Sequence, residues 1–168
     1  MERVAERRGE HDEPDEILDD FFVLWRAYET TFEGSGGTLL KRAQEATVMT
    51  INRSIRDFPA VLRFAGNFEK QFGDRINPQY IESWFPSYEE EKKIHPATMI
   101  AGSLKHLRPA LRQPSLWIES HSKDFATLIY YLRNAIFHGS FGTSKLVESP
   151  RAFAGIREAM EEIVARRL

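Results

Sequence analysis

Three residues in the stretch "YYLRNAIFHGS", Tyr130 to Ser140, carry side chains that do more than pack. Arg133 and Asn134 interrupt a run of helix-forming, mostly apolar residues, and His138 stands just before Gly139. A histidine takes up and releases protons around neutral pH. An arginine is permanently charged, and its planar fork matches the oxygens of a phosphate. Together they supply what metal-free cleavage of RNA demands. The 2′-hydroxyl must lose a proton, charge building on the phosphate must be stabilised, and the departing 5′-oxygen must be protonated. Asn134 can hold the imidazole or bind phosphate. At 100° per residue, Arg133 and His138 diverge by about 140° around a helix, whereas Asn134 and His138 share a face, with Tyr131 on the same line. One copy of the helix therefore makes a poor site. Two copies related by a twofold axis, with these helix ends facing, would bring paired arginines and histidines around one cleft. The competing reading is structural: cations near a helix C-terminus interact favourably with its dipole, by under about 1 kcal/mol each. No other arginine in the chain has a histidine five, six or seven positions downstream.

The elements that must position these residues read as helices. Ile17, Leu18, Phe21, Phe22, Trp25, Tyr28 and Phe32 recur at spacings of three and four, after Pro14 and before the glycines of "GSGG". A second helix is expected from Thr38 as N-cap, with Leu39, Leu40, Ala43, Ile51 and Ile55 in register. Pro59 separates it from a third, with Val61, Phe64, Ala65, Phe68 and Phe72 along one side. The segment with Pro78 and Pro86 reads as short turns and loop. Pro96 opens a helix with Ile100, Leu104, Leu107 and Leu111, interrupted by Pro109. Ser122 is the expected N-cap of the motif helix, Phe125, Leu128, Ile129, Leu132 and Ile136 form its apolar stripe, and Gly139 ends it. A last helix is expected from Ser149 and Pro150, with Phe153, Ile156, Met160, Ile163 and Val164 on its buried side. No stretch alternates with period two for long enough to make a strand. The expectation is an all-α bundle of about five to six helices, residues 14–168 forming one domain behind a flexible charged segment, residues 1–13.

Bulk composition narrows the chemistry. The 168 residues are 42% hydrophobic and 29% charged, enough apolar chain for a real core, and the absence of cysteine excludes disulfides, thiolate metal sites and a cysteine nucleophile. No apolar run approaches the roughly 18 residues of a membrane span and the N-terminus has no signal-like apolar region, so a cytoplasmic protein without a membrane partner is expected. Charge is separated along the chain. Residues 1–20 hold nine acids against three bases, a net of −6, so the rest carries +4 within the whole-chain −2. From Lys92 to Ile118 there is no acid, and Lys105, Arg108 and Arg112 fall at spacings of three and four. These three, with Lys145 after the motif, are the expected RNA contacts; a solvated basic face is the bland alternative.

Other motifs carry less. "GSGG" lacks the lysine and spacing of a phosphate-binding loop and reads as a connection. His11, His95, His106 and His121 show no paired metal-ligand spacing, and no carboxylate completes a site, so neither a metal nor another cofactor is expected. Trp84, Phe85 and Tyr88 read first as packing residues, although they could stack on bases.

"LRNAIFHG" resembles the R-x4-H motif of HEPN domains, helical bundles associated with nucleotide binding and ribonuclease activity. Arg133, Asn134 and His138 match its arginine, following polar residue and histidine in order, on a late helix followed by one more amphipathic helix. The resemblance is sharp over the motif and covers the remainder only as a helical bundle. It implies a symmetric homodimer acting as a metal-independent endoribonuclease, with Arg133, His138 and Asn134 as its site. The setting it implies is a toxin–antitoxin or phage-defence one, with an antitoxin or regulator as a further partner. Family members paired with a nucleotidyltransferase antitoxin often carry a tyrosine two positions after the histidine; Ser140 stands there, which leaves that pairing without support. The alternatives are a HEPN-like module that binds RNA or nucleotide without cutting, and a helical interaction protein in which Arg133 and His138 are structural.

Overall fold

The computed structural model of the chain describes residues 14–32, 36–51, 54–72, 96–137 and 155–167. They form six α-helices and no strand: α1 (Pro14–Thr30), α2 (Leu39–Ile51), α3 (Pro59–Phe72), α4 (Pro96–Arg112), α5 (Glu119–Phe137) and α6 (Ile156–Arg167), with short 3-10 turns at Ile55–Asp57 and Pro114–Leu116. The all-α bundle expected from helical periodicity is therefore the observed fold. None of the described helices is long and apolar enough to cross a membrane.

Apolar residues from the helical stripes supply the core among the described residues. Phe21, Trp25 and Tyr28 of α1 meet Ala43, Ala46 and Ile51 of α2, Val61, Phe64 and Phe68 of α3, and Ile156, Met160 and Ile163 of α6 in one core. Helix α5 packs against both α2 and α4, while α6 lies along α3 and α1. The Phe125 ring of α5 meets Phe64 of α3 edge-on at 6.4 Å. Gln44 of α2 donates to the hydroxyl of Thr127 on α5 at 3.0 Å, and the buried Tyr28 hydroxyl is hydrogen-bonded to Thr47. Burial pushes the Tyr28 phenol well above its ordinary pKa, so it stays protonated within this core.

Helix starts follow recognisable chemistry. Thr38 caps α2, its hydroxyl accepting from the Lys41 amide at 3.2 Å. Pro59 takes the first position of α3, where a missing N–H is no loss. The next two amides, of Ala60 and Val61, donate to the carboxylate of Glu162 on α6 at 3.1 and 3.2 Å. A cap of this kind contributes about 1 kcal/mol, here delivered from a helix about a hundred residues away.

Four boundaries differ from the sequence expectation, the first being that Ile55, expected in register with α2, lies in the 3-10 turn Ile55–Asp57. Helix α4 is not interrupted at Pro109 but runs through it to Arg112. Leu107 and Ala110 on either side are fully buried, and apolar burial of this kind offsets a proline penalty of about 3 kcal/mol. Helix α5 begins at Glu119, not after Ser122. The cap is Ile118: its carbonyl accepts from the His121 amide at 3.0 Å, and its N–H donates to His121 Nδ1 at 2.9 Å. The second bond is one half of a capping box, the N3 side chain reaching back to the cap amide, with histidine in the place usually held by glutamate or glutamine. Ser122 lies inside the helix and accepts from Trp117 Nε1 at 2.9 Å. Helix α6 starts after Gly155, whose φ of 88° is not helical, so no single helix runs from Pro150 through Ile156. Ser149, Pro150 and Phe153 lie outside the described residues.

Candidate functional site

Arg133 and Asn134 are consecutive positions near the C-terminal end of α5, which runs to Phe137, one residue short of His138. His138 and Lys145 lie outside the described residues. The Arg133 guanidinium carbon sits 5.4 Å from the centroid of the Trp25 ring, a cation–π contact between α5 and α1. The arginine is half-buried, with its Nε enclosed by protein. Trp25 itself is 1% exposed and packs edge-on against Tyr28 at 5.6 Å and Phe32 at 6.1 Å. No helical spacing rule links residues 25 and 133, so this seat was not readable from the motif.

The expected row of cations on α4 resolves into two kinds. Lys105 and Arg112 are exposed and lie seven residues apart, two turns along nearly one line. Arg108 sits about 60° off that line and is directed at α3, where its Nε donates to Glu69 Oε1 at 2.6 Å. The Glu69 side chain is only 9% exposed and that of Arg108 28%. Arg108 is therefore engaged in an ion pair that holds α4 to α3, which leaves Lys105 and Arg112 as the outward cations of the predicted path. His106, next to Lys105 in the chain, touches Asp124 in the N-terminal half of α5, while Lys105 and Arg112 point about 100° or more away from it around α4. Asp124 and Arg133 are nine residues apart on α5, about 14 Å at 1.5 Å per residue.

The structure also assembles a cluster that histidine spacing did not reveal. His106 Nδ1 and Asp124 Oδ2 are hydrogen-bonded across the α4–α5 pair. The His106 and His121 rings stack at 4.7 Å, and Trp117 lies 5.7 Å from His121. A carboxylate thus meets His106, although no group of three side chains suited to a metal ion exists among the described residues. One signal was available. In an antiparallel helix hairpin turning near residues 113–118, positions equally far from the turn face each other, which pairs 106 with the neighbourhood of 124.

Burial lowers the His121 pKa, and the neighbouring His106 lowers it further, against an opposing pull from Asp124. Burial raises the Asp124 pKa, and its bond to His106 works against that rise. For His121 the sign is clear. The unfolded chain takes up this proton at a higher pH than the folded one, so stability is full above the ordinary histidine pKa of about 6.5 and declines as pH falls through and below it. Protonation also removes the Nδ1 acceptor that caps α5. His121→Gln, which keeps an acceptor at this capping position without titrating, should flatten that decline in urea melts from pH 7.5 to 5. Parallel declines in wild type and variant would show that His121 is not its source. Asp124, with its raised pKa, contributes in the opposite sense at lower pH.

Compared with known proteins, the chain matches no protein-family model, no curated protein and no solved structure.

Proposed function

We propose that this protein is a metal-independent endoribonuclease of the HEPN type, working as a homodimer in a toxin–antitoxin or phage-defence setting. The observation that carries the reading is the Arg133 guanidinium seated on the Trp25 ring in the last turns of α5, with Asn134 next to it in the chain. In the sequence His138 follows Arg133 by five residues, the spacing that the motif requires. In this reading His138 moves protons to and from the 2′- and 5′-oxygens, and Arg133 binds the phosphate oxygens as charge accumulates there. Asn134 orients the imidazole or the phosphate. The divergence of Arg133 and His138 around the helix calls for a second copy to complete the site. Purified protein should degrade single-stranded RNA in EDTA and leave 2′,3′-cyclic phosphate ends. A strict requirement for Mg²⁺, or binding without cleavage, would overturn the enzyme reading.

Two further outcomes follow from it. Light scattering at micromolar concentration should report a dimer, and a strict monomer would leave the composite site without its second half. Substrate should reach the site over the exposed Lys105 and Arg112, with Lys145 as a further contact. Each phosphate contact on a single strand adds about −0.7 to the log–log dependence of affinity on salt. Lys105→Glu with Arg112→Glu should weaken RNA binding and flatten that slope by about 1.4, leaving the cleavage position unchanged. An unaltered slope would return α4 to a solvated basic face. Arg108 is not part of this test, because its removal would disturb Glu69.

A further inference from the structure

An arginine that stabilises a transition state must hold its fork in one direction, and a long free side chain gives up about 2 kcal/mol of rotamer entropy to do so. Arg133 is seated instead. Its guanidinium carbon lies 5.4 Å from the Trp25 ring centroid, and its Nε is buried. The seat is rigid. Trp25 is 1% exposed and packs edge-on against both Tyr28 and Phe32, which touch each other, and Tyr28 is tied to Thr47 of α2. The ring therefore cannot swing away without disturbing two helices.

We propose that Trp25 is the positioning residue for Arg133, presenting the face of its indole so that the guanidinium is pre-set for phosphate. The proposal rests on the reading of Arg133 as a catalytic group and adds a residue from α1, outside the motif, to its support. Trp25 touches neither substrate nor reacting atoms; it acts through the arginine. Cation–π attraction ranges from about 0.5 kcal/mol when exposed to about 2 kcal/mol when desolvated, and is strongest over tryptophan. Its loss converts to a factor of up to about 30 in rate.

The test uses a labelled single-stranded RNA and the full-length protein. Trp25→Leu should lower kcat by up to about 30-fold and Trp25→Phe, which keeps a weaker ring, by about 3-fold, with KM within about twofold in both. Far-ultraviolet circular dichroism at the assay temperature establishes that each variant is folded; if Trp25→Leu is not, Trp25→Phe carries the test. The decisive comparison is made in an Arg133→Ala background. There Trp25→Phe should change the residual cleavage no further, because the group it positions is gone. An equal additional loss in that background would mean that Trp25 acts through the fold alone, and the proposal fails. Wild-type kcat in both Trp25 variants beside an inactive Arg133→Ala would overturn the proposal and leave the role of Arg133 standing. Wild-type cleavage by Arg133→Ala would overturn that role and the proposal with it.

Discussion

His138→Ala and Arg133→Ala should each lower RNA cleavage by about 10²- to 10⁴-fold, the usual loss when one proton-transfer or charge-stabilising group is removed from a phosphoryl site. The two variants should differ in stability. Arg133 covers part of Trp25, so its truncation forfeits a cation–π contact and should cost about 1 kcal/mol. Arg133→Lys separates the effects, since lysine keeps the charge and the stem but not the two-pronged geometry. It should recover stability more fully than cleavage. Mixing Arg133→Ala with His138→Ala chains should restore part of the activity if arginine and histidine act across the dimer interface, because the shared cleft of a mixed dimer keeps one arginine and one histidine, from different chains. Full cleavage by either single variant would reduce these residues to structural ones. So would an unfolded His138→Ala chain, and the interaction-protein alternative would then stand.

The second large effect is on stability. Arg108→Ala should destabilise the fold by about 2–4 kcal/mol, near the range for breaking a buried ion pair and reduced because Arg108 keeps partial contact with solvent. The cost arises from Glu69, which is left charged and 9% exposed with its bonded guanidinium gone. For a chain of this size that corresponds to a fall of roughly 5–15 °C in melting temperature. Replacing both partners by methionine should be much less damaging than Arg108→Ala alone, since no charge is then stranded. A loss below about 0.5 kcal/mol for Arg108→Ala in urea unfolding would place this pair with ordinary surface salt bridges. The same experiment guards the RNA-binding test, because a charge reversal at position 108 would lower affinity simply by loosening α4.

The amino-acid sequence alone determined the class of the fold. Apolar residues at spacings of three and four impose helices on any chain that must bury them, and Trp25, Phe64, Leu104, Phe125 and Met160 all sit where that rule sends them. It also determined the local chemistry of certain helix ends, such as the Thr38 cap and the Pro59 start, because a cap involves residues within one turn of each other. The placement of Arg133 and Asn134 in the last turns of α5 belongs to the same class of information. What joins different helices was decided by tertiary packing. The partner of Arg108 is Glu69 on α3, the carboxylate beside His106 comes from α5, the cap of α3 is Glu162 on α6, and the ring under Arg133 comes from α1. Even the path of α4 through Pro109 was settled there, since burial of Leu107 and Ala110 outweighs a local preference to break. Periodicity records which face of a helix is apolar, but not which neighbour will cover it. Only the assembled bundle brings together side chains that lie tens of residues apart and sets their charges within reach of one another.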